Sequence, residues 1–195
     1  MRYLRLLPPL LSGLALSASF PDISAFFLAW VGLIPFLHFI LEEEHRQMLA
    51  AGHFLFSFSY FGAILYWIPR VLVVYGGLSP AVAGLLFMLM ISILSLFLAP
   101  FTFLLSWTAV RIGKGMALMC APAFWIMTEL VRNYWAVGGF PWAALGYSQI
   151  PYTVILQFAD IGGVYLLSAL IVAVNGALLA LVRLCFRAAL GQFPE

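Results

Sequence analysis

Charged side chains are scarce in this sequence: Asp, Glu, Lys and Arg account for 8% of its 195 residues, and Lys114 is the single lysine. Water-soluble domains carry about 25% charged residues, so this composition excludes a soluble globular protein. The net charge of +2 comes from dispersed residues and not from a basic run. Nucleic-acid binding is therefore excluded too, because it requires a clustered positive surface.

Cysteine is almost absent. Cys120 and Cys185 lie in separate apolar stretches, and neither has a second cysteine or a histidine at a metal-binding spacing. The sequence thus favours neither a disulfide framework nor a metal site, and we expect no cofactor. His38 and His53 also lie in apolar stretches, where a lone histidine is usually a hydrogen-bonded packing residue.

Apolar residues make up 65% of the chain, and its mean hydropathy is +1.10. Uninterrupted apolar runs, each near the ~20 residues of one membrane crossing, predict six helices. They are placed at 6–20, 24–41, 48–68, 80–110, 116–134 and 162–186. We therefore predict an all-α integral membrane protein, a bundle of about six transmembrane helices in which residues 1–195 form a single polytopic membrane domain. The stretch between Arg70 and Arg111 is interpreted as one long helix.

The distribution of cations predicts the orientation of the bundle, because cytoplasmic connections carry an excess of Lys and Arg. A cytoplasmic N-terminus places seven cations inside: Arg2, Arg5, Arg46, Arg111, Lys114, Arg183 and Arg187. It leaves Arg70 and Arg132 outside. The loop at 135–161 is then external, which means periplasmic in a Gram-negative bacterium.

Residues 129–149 concentrate charge, aromatic rings and glycine in an otherwise apolar chain. Glu129 and Arg132 are three residues apart, a spacing that lets both side chains meet on one helical face. An ion pair is one interpretation, and a functional role is the other, because acids within a membrane are costly and are usually functional. Arg132 also suits a lipid phosphate, which guanidinium binds in a planar, bidentate manner. The alternative is an interfacial arginine that extends toward water.

Aromatic residues follow this pair closely. They are Trp135, Phe140, Trp142 and Tyr147. Such rings are typical of an interfacial belt, but Gly138, Gly139 and Pro141 among them favour a bent, close-packed backbone. The segment at 66–70 also combines aromatic residues with proline and is predicted to approach the same face. We therefore expect a shaped surface there.

Several motifs resemble the membrane domain of apolipoprotein N-acyltransferase, a bacterial inner-membrane enzyme that adds the third acyl chain to lipoproteins. The most specific are TELVR at 128–132, GFPW at 139–142 and GYSQ at 146–149. Further similar stretches lie at 19–21, 28–35, 66–68, 157–165 and 174–175. The similarity covers nearly the whole chain, and it implies a location in the bacterial inner membrane.

The resemblance implies a reaction in which an acyl chain passes from a phospholipid to an enzyme cysteine and then to the amine of a diacylglyceryl-cysteine. In that family a Glu-Lys-Cys triad in a nitrilase-like domain performs the transfer, and this domain follows the membrane helices. The present chain ends at Glu195, before such a domain, while Lys114, Cys120 and Cys185 lie toward the predicted cytoplasmic side. We therefore assign no catalytic residue and expect the chain alone, as a truncated enzyme, to be inactive.

A substrate-side surface is assigned to Trp67, Glu129, Arg132, Phe140, Pro141, Trp142, Tyr147 and Gln149. The expected partners are the acyl chains of phospholipid and lipoprotein and a nitrilase-like catalytic domain or subunit. Two alternatives stay open. One is a non-catalytic membrane scaffold that pairs with a separate nitrilase-like subunit. The other is a small membrane transporter, which an intramembrane glutamate and glycine and proline interruptions also suit.

Overall fold

The computed structural model describes residues 2–134 and 139–189, and the regular elements within these ranges are all helical. The α-helices are α1 (Leu7–Ala18), α2 (Ile34–Glu42), α3 (Arg46–Ile64), α4 (Ile68–Val74), α5 (Pro80–Arg111), α6 (Lys114–Tyr134), α7 (Thr153–Leu156) and α8 (Ala159–Ala189). Short 3-10 helices occupy Arg2–Leu6, Phe26–Trp30 and Leu145–Gln149. The prediction of an all-α membrane protein is confirmed.

Three helices, α5, α6 and α8, are long and apolar enough to cross a membrane. Helices α3 and α4 are bent by 51° relative to each other and together make a fourth candidate span. The apolar segments Leu4–Ala18 and Phe26–Glu42 are shorter than a span. Within the described residues the structure therefore supports three or four spans, and the predicted number of about six is not confirmed.

Prolines explain where the predicted helices were too long. Pro35 lies in the first turn of α2 and Pro69 in the first turn of α4. Proline is accommodated at that position because its missing N–H would have no partner within the helix anyway. The apolar stretch at 24–41 is consequently a 3-10 turn followed by a helix, and the stretch at 48–68 ends in a bend.

Helix α5 is a single element of 32 residues that contains Pro100, in agreement with the predicted long helix. It begins where the Ser79 hydroxyl accepts a hydrogen bond of 3.4 Å from the Val82 N–H. Helix α8 is interrupted near its start, where Gly163 adopts a φ of 67°. The break separates a first turn from the membrane-spanning part.

Aromatic rings fill the centre of the bundle between α2, α3, α5 and α6. Phe36 stacks on Phe56 with ring centroids 3.9 Å apart, and Phe101 meets Trp125 edge-on at 5.0 Å.

Asn175 of α8 is fully buried. Its Oδ1 accepts a bond of 3.0 Å from the Leu33 N–H, and its Nδ2 donates to the Ala29 carbonyl at 2.8 Å. Asn175 therefore joins α8 to the segment from Ala29 to Leu33.

A cluster of ion pairs joins helix ends on the side opposite the 139–149 loop. The Glu42 carboxylate lies 2.7 Å from Lys114 Nζ and 2.6 Å from an Arg183 Nη atom, and Arg5 lies 3.8 Å from Glu43. Burial disfavours the charged form of Glu42, but Lys114 and Arg183 outweigh that effect. The pKa of Glu42 therefore lies below its ordinary value of 4.5. This cluster connects α2 to α6 and α8.

Acidification is expected to weaken this cluster. Because the folded-state pKa of Glu42 is lowered, its ion pairs contribute fully above about pH 4.5 and lose their contribution as pH falls through the folded-state pKa. The Glu42 side chain is 41% exposed, so solvent screening limits the loss to less than about 1 kcal/mol. The free energy of unfolding, measured in detergent at a series of pH values, should decrease less steeply with falling pH for Glu42→Gln than for the wild type. Identical slopes would contradict a role for this carboxylate.

Candidate functional site

Glu129 lies near the end of α6 and is 2% exposed. Its Oε1 atom accepts two hydrogen bonds, one of 2.8 Å from the Leu145 N–H and one of 2.9 Å from Trp125 Nε1. Both donors are buried, so the carboxylate provides an acceptor that the apolar surroundings lack. Glu129 thereby fastens the returning chain at residue 145 to α6.

Arg132, one turn further along α6, is 4% exposed. Its Nε donates to the Phe140 carbonyl at 3.2 Å, and its own carbonyl accepts from the Phe140 N–H at 3.0 Å. The guanidinium carbon lies 5.5 Å from the centre of the Phe61 ring, within cation–π distance. Its Nη2 atom has no hydrogen-bond partner among the described residues. Arg132 thus has one buried donor, at Nη2, whose hydrogen-bonding capacity is not used in that part of the chain.

The interpretation of Glu129 and Arg132 as an ion pair is not supported within the described ranges. The ion pairs found there, at nitrogen–oxygen distances up to 4.0 Å, involve Arg5, Lys114 and Arg183. Glu129 instead accepts from the loop backbone, whereas Arg132 donates to the Phe140 carbonyl. Both side chains thus fix the loop, at two different points.

The chain re-enters the described region at Gly139, which has a φ of +68°. A Cβ atom at this position would lie 1.8 Å from the Asn133 carbonyl oxygen, so only glycine fits.

Two side chains that sequence reasoning missed hold the turn that follows Gly139. Tyr60 donates to the Ala143 carbonyl at 3.0 Å, and Ser168 accepts from the Gly146 N–H at 2.9 Å. Neither belongs to a local motif, because each meets the loop only through the packing of α3 or α8.

The structure brings together the aromatic residues of two separate segments. Trp67, in the bend between α3 and α4, meets Trp142 with ring centroids 5.8 Å apart and planes at 72°. Trp142 in turn meets Phe140 at 5.3 Å. Trp67 and Trp142 are 38% and 54% exposed, and Pro141 between the loop aromatics is exposed as well. These four residues form a continuous accessible patch, named here the aromatic patch. Trp135 and Gly138 lie outside the described residues.

Tyr147 and Gln149 lie deeper than the aromatic patch. Tyr147 is half-buried against the core, and Gln149 is fully buried. Gln149 Oε1 accepts from Trp30 Nε1 at 3.1 Å, and its Nε2 donates to the Phe26 carbonyl at 3.3 Å. Gln149 therefore ties the loop to the 3-10 turn at Phe26–Trp30. No sequence motif indicates the contact between Gln149 and Trp30, since the two residues lie far apart in the chain.

A cavity of about 480 Å³ opens between α5 and the chain that follows α6. Its lining is apolar apart from Arg132 and comprises Leu86, Leu89, Met90, Ile93, Leu94, Phe97, Arg132, Gly139 and Phe140. This volume falls in the range of small-molecule sites, roughly 300–1,000 Å³. The combination of an apolar cavity with one buried guanidinium suits an amphiphile that carries an anionic group.

Comparison with known proteins identifies the domain. The family model of the apolipoprotein N-acyltransferase N-terminal domain matches residues 12–177. The chain belongs to this family. The match includes Glu129, Arg132 and the loop through Gln149, so the site described above lies within the N-acyltransferase N-terminal domain.

Curated relatives named apolipoprotein N-acyltransferase extend the comparison. The protein of Geobacter metallireducens is 36% identical over 176 residues, which cover 89% of this chain and 32% of the relative. The Vibrio cholerae protein is 33% identical over 148 residues, or 75% of this chain and 29% of the relative. The Pseudomonas syringae pv. tomato protein is 34% identical over 142 residues, or 72% and 28%. The chain thus spans about a third of the length of these N-acyltransferases.

Proposed function

We propose that this chain is the membrane domain of an apolipoprotein N-acyltransferase and holds the acyl donor in the cavity between α5 and the 139–149 loop. The enzyme as a whole transfers an acyl chain from a phospholipid to the amine of a lipoprotein diacylglyceryl-cysteine. The observation that carries the proposal is the apolar cavity with the buried, unpartnered Nη2 atom of Arg132 among the described residues. Acyl chains occupy the apolar part, and the phosphate of the donor accepts from Arg132.

The geometry around Arg132 supports a binding role. Two contacts hold the guanidinium in place. Its Nε donates to the Phe140 carbonyl, and the Phe61 ring lies against one side of it. A guanidinium fixed in this way loses little conformational freedom when it binds an anion. Arg132 therefore contributes to affinity for the donor, and it has no part in forming or breaking the acyl bond.

Catalysis itself belongs to a nitrilase-like domain, either in the same polypeptide or as a separate subunit. Acyl transfer through cysteine needs a nucleophile, a nearby base and donors directed at the oxyanion. In this arrangement the aromatic patch formed by Trp67, Phe140, Pro141 and Trp142 faces the catalytic domain and the incoming lipoprotein acyl chains. Glu129 and Gln149 anchor the chain that follows the patch, at residues 145 and 149, and Tyr147 packs against the core between them.

We further propose that the protein lies in the bacterial inner membrane with the 139–161 region on the periplasmic side. The cations assigned to the cytoplasm include Arg5, Lys114 and Arg183, and these three pair with Glu42 and Glu43 at one end of the bundle. The loop lies at the other end of α6, whose 21 residues extend over roughly 30 Å at 1.5 Å per residue. This separation supports one cytoplasmic and one periplasmic face.

A chimaera tests the proposed function. Residues 1–195 joined to the remaining part of the Geobacter metallireducens relative are expected to transfer an acyl chain from phospholipid to a diacylglyceryl-cysteine peptide, whereas residues 1–195 alone are expected to transfer none. In the chimaera, Arg132→Gln should raise the KM for phospholipid about 10- to 100-fold, the equivalent of one charged hydrogen bond of roughly 1.5–3 kcal/mol, with little change in kcat.

Two controls accompany this measurement. Arg70→Gln changes an exposed arginine on the same predicted side and should leave the KM unchanged, while Arg132→Lys should retain part of the affinity. Thermal unfolding of each variant in detergent separates lost binding from lost structure. Transfer by residues 1–195 alone would contradict the assignment of catalysis to another domain. An unchanged KM in a folded Arg132→Gln chimaera would contradict the donor site.

A further inference from the structure

His53 of α3 contacts α5 on both sides of Pro100. The imidazole projects from α3 and is 4% exposed. Its Nε2 lies 3.0 Å from the Ser95 carbonyl oxygen, five residues before Pro100, and its Nδ1 lies 2.9 Å from the Thr102 hydroxyl, two residues after it. Since a carbonyl can only accept, Nε2 carries the proton, and Nδ1 accepts from Thr102. One ring therefore bridges the two halves of α5.

Pro100 weakens α5 between the two residues that His53 contacts. Proline lacks an N–H, so the carbonyl of Leu96 receives no helical hydrogen bond from position 100, and the ring of the proline crowds that carbonyl. A helix is most easily bent at this point, and in membranes neighbouring helices supply polar groups that compensate. Ser95 and Thr102 are seven residues apart, which places them two turns apart on one face of α5.

We propose that His53 is a clip that sets the angle between the two halves of α5 at Pro100 and thereby the width of the cavity. All six cavity residues contributed by α5 precede Pro100: Leu86, Leu89, Met90, Ile93, Leu94 and Phe97. A change of angle at the proline therefore moves this cavity wall relative to Arg132. The clip acts on the shape of the helix, so it can be tested without measuring acyl transfer.

The angle can be measured within α5 itself. Leu85 and Val110 are 70% and 80% exposed and lie on opposite sides of Pro100. Spin labels at Leu85→Cys and Val110→Cys, with Cys120 and Cys185 replaced by serine, lie about 37 Å apart along a straight helix. Double electron–electron resonance in nanodiscs should give a narrow distance distribution for the clipped helix. His53→Leu should broaden and shift it.

Two further variants separate a clip from general packing. His53→Gln should restore a narrow distribution, because its amide can donate to the Ser95 carbonyl and accept from Thr102. Pro100→Ala restores the helical hydrogen bond, so His53→Leu should have no effect on the distribution in that background. A distribution unchanged by His53→Leu, or broadened equally with and without Pro100, would overturn the proposal.

Thr102→Val provides the test if His53→Leu does not fold. It removes the Nδ1 partner and nearly preserves the shape of the side chain, and it should broaden the distribution less than His53→Leu. Thr108→Val is the matched control, because Thr108 is a buried threonine of the same helix that donates to the Leu104 carbonyl. If both threonine variants broadened the distance distribution equally, the change would come from altered packing of α5 in general, and the proposal that His53 sets the angle would be wrong.

Discussion

Replacement of Glu129 by alanine is expected to lower the free energy of unfolding by about 2–6 kcal/mol, because it leaves two buried donors without a partner at roughly 1–3 kcal/mol each. These donors are the Leu145 N–H and Trp125 Nε1, at 2.8 and 2.9 Å from Glu129 Oε1. Glu129→Gln keeps an acceptor oxygen at that position and should cost much less. Unfolding in mixed detergent micelles, followed by tryptophan fluorescence, measures both variants.

Glu44→Ala is the matched control, since Glu44 is an exposed glutamate in the connection between α2 and α3. It should leave the free energy of unfolding nearly unchanged. Equal losses for Glu129→Ala and Glu129→Gln would show that the charge of the side chain matters more than its accepting oxygen. In that case the role of Glu129 as an anchor for the loop would be wrong.

Gly139→Ala is the second substitution with a large expected effect. The residue has a φ of +68°, and its added Cβ would lie 1.8 Å from the Asn133 carbonyl oxygen and 2.6 Å from the Asn133 carbonyl carbon. These are backbone atoms, so the loop must move away from the end of α6. The shift would break the bonds between Phe140 and Arg132 and widen the cavity. Its effect is measurable as lower stability and as faster labelling of a Trp142→Cys reporter.

Gly77→Ala isolates the part of this effect that comes from backbone conformation. Gly77 has a nearly identical φ of +66°, but a Cβ there would meet open space. The control should therefore cost about 1–2 kcal/mol, the usual penalty for a left-handed residue with a side chain. Gly139→Ala should cost roughly 1–3 kcal/mol more, as overpacked positions do. If the two variants were equally destabilised, the close approach to Asn133 would not contribute to the loss of stability.

The parts of the site that were predictable are those encoded in short motifs. Glu129 and Arg132 stand out because charge is rare in this chain, and the loop stands out because glycine, proline and aromatic residues are concentrated there. The partners of these residues were not predictable. An ion pair is the simplest expectation for two opposite charges three residues apart. Glu129 instead accepts from the Leu145 N–H of the loop and from the Trp125 indole of the same helix, and the spacing of the two charges reveals neither donor.

The cavity and its relation to His53 were also beyond sequence reasoning. The sequence predicts that His53 is a hydrogen-bonded packing residue, and the structure agrees. Its partners lie on another helix, however, and their positions on either side of Pro100 depend on how α3 packs against α5. The same holds for Gln149, whose partner Trp30 is remote in the chain.

The sequence by itself determined that this chain is an all-α membrane protein, that it belongs among N-acyltransferase N-terminal domains, and which segment carries its unusual residues. Composition and short motifs suffice for these conclusions, because a long apolar run must satisfy its backbone as a helix in the membrane. Tertiary structure alone decided how many helices are long enough to cross, which atoms Glu129 and Arg132 contact, and where the cavity lies. Those features depend on bends at proline and glycine and on contacts between distant residues, which the helical period of a sequence does not specify.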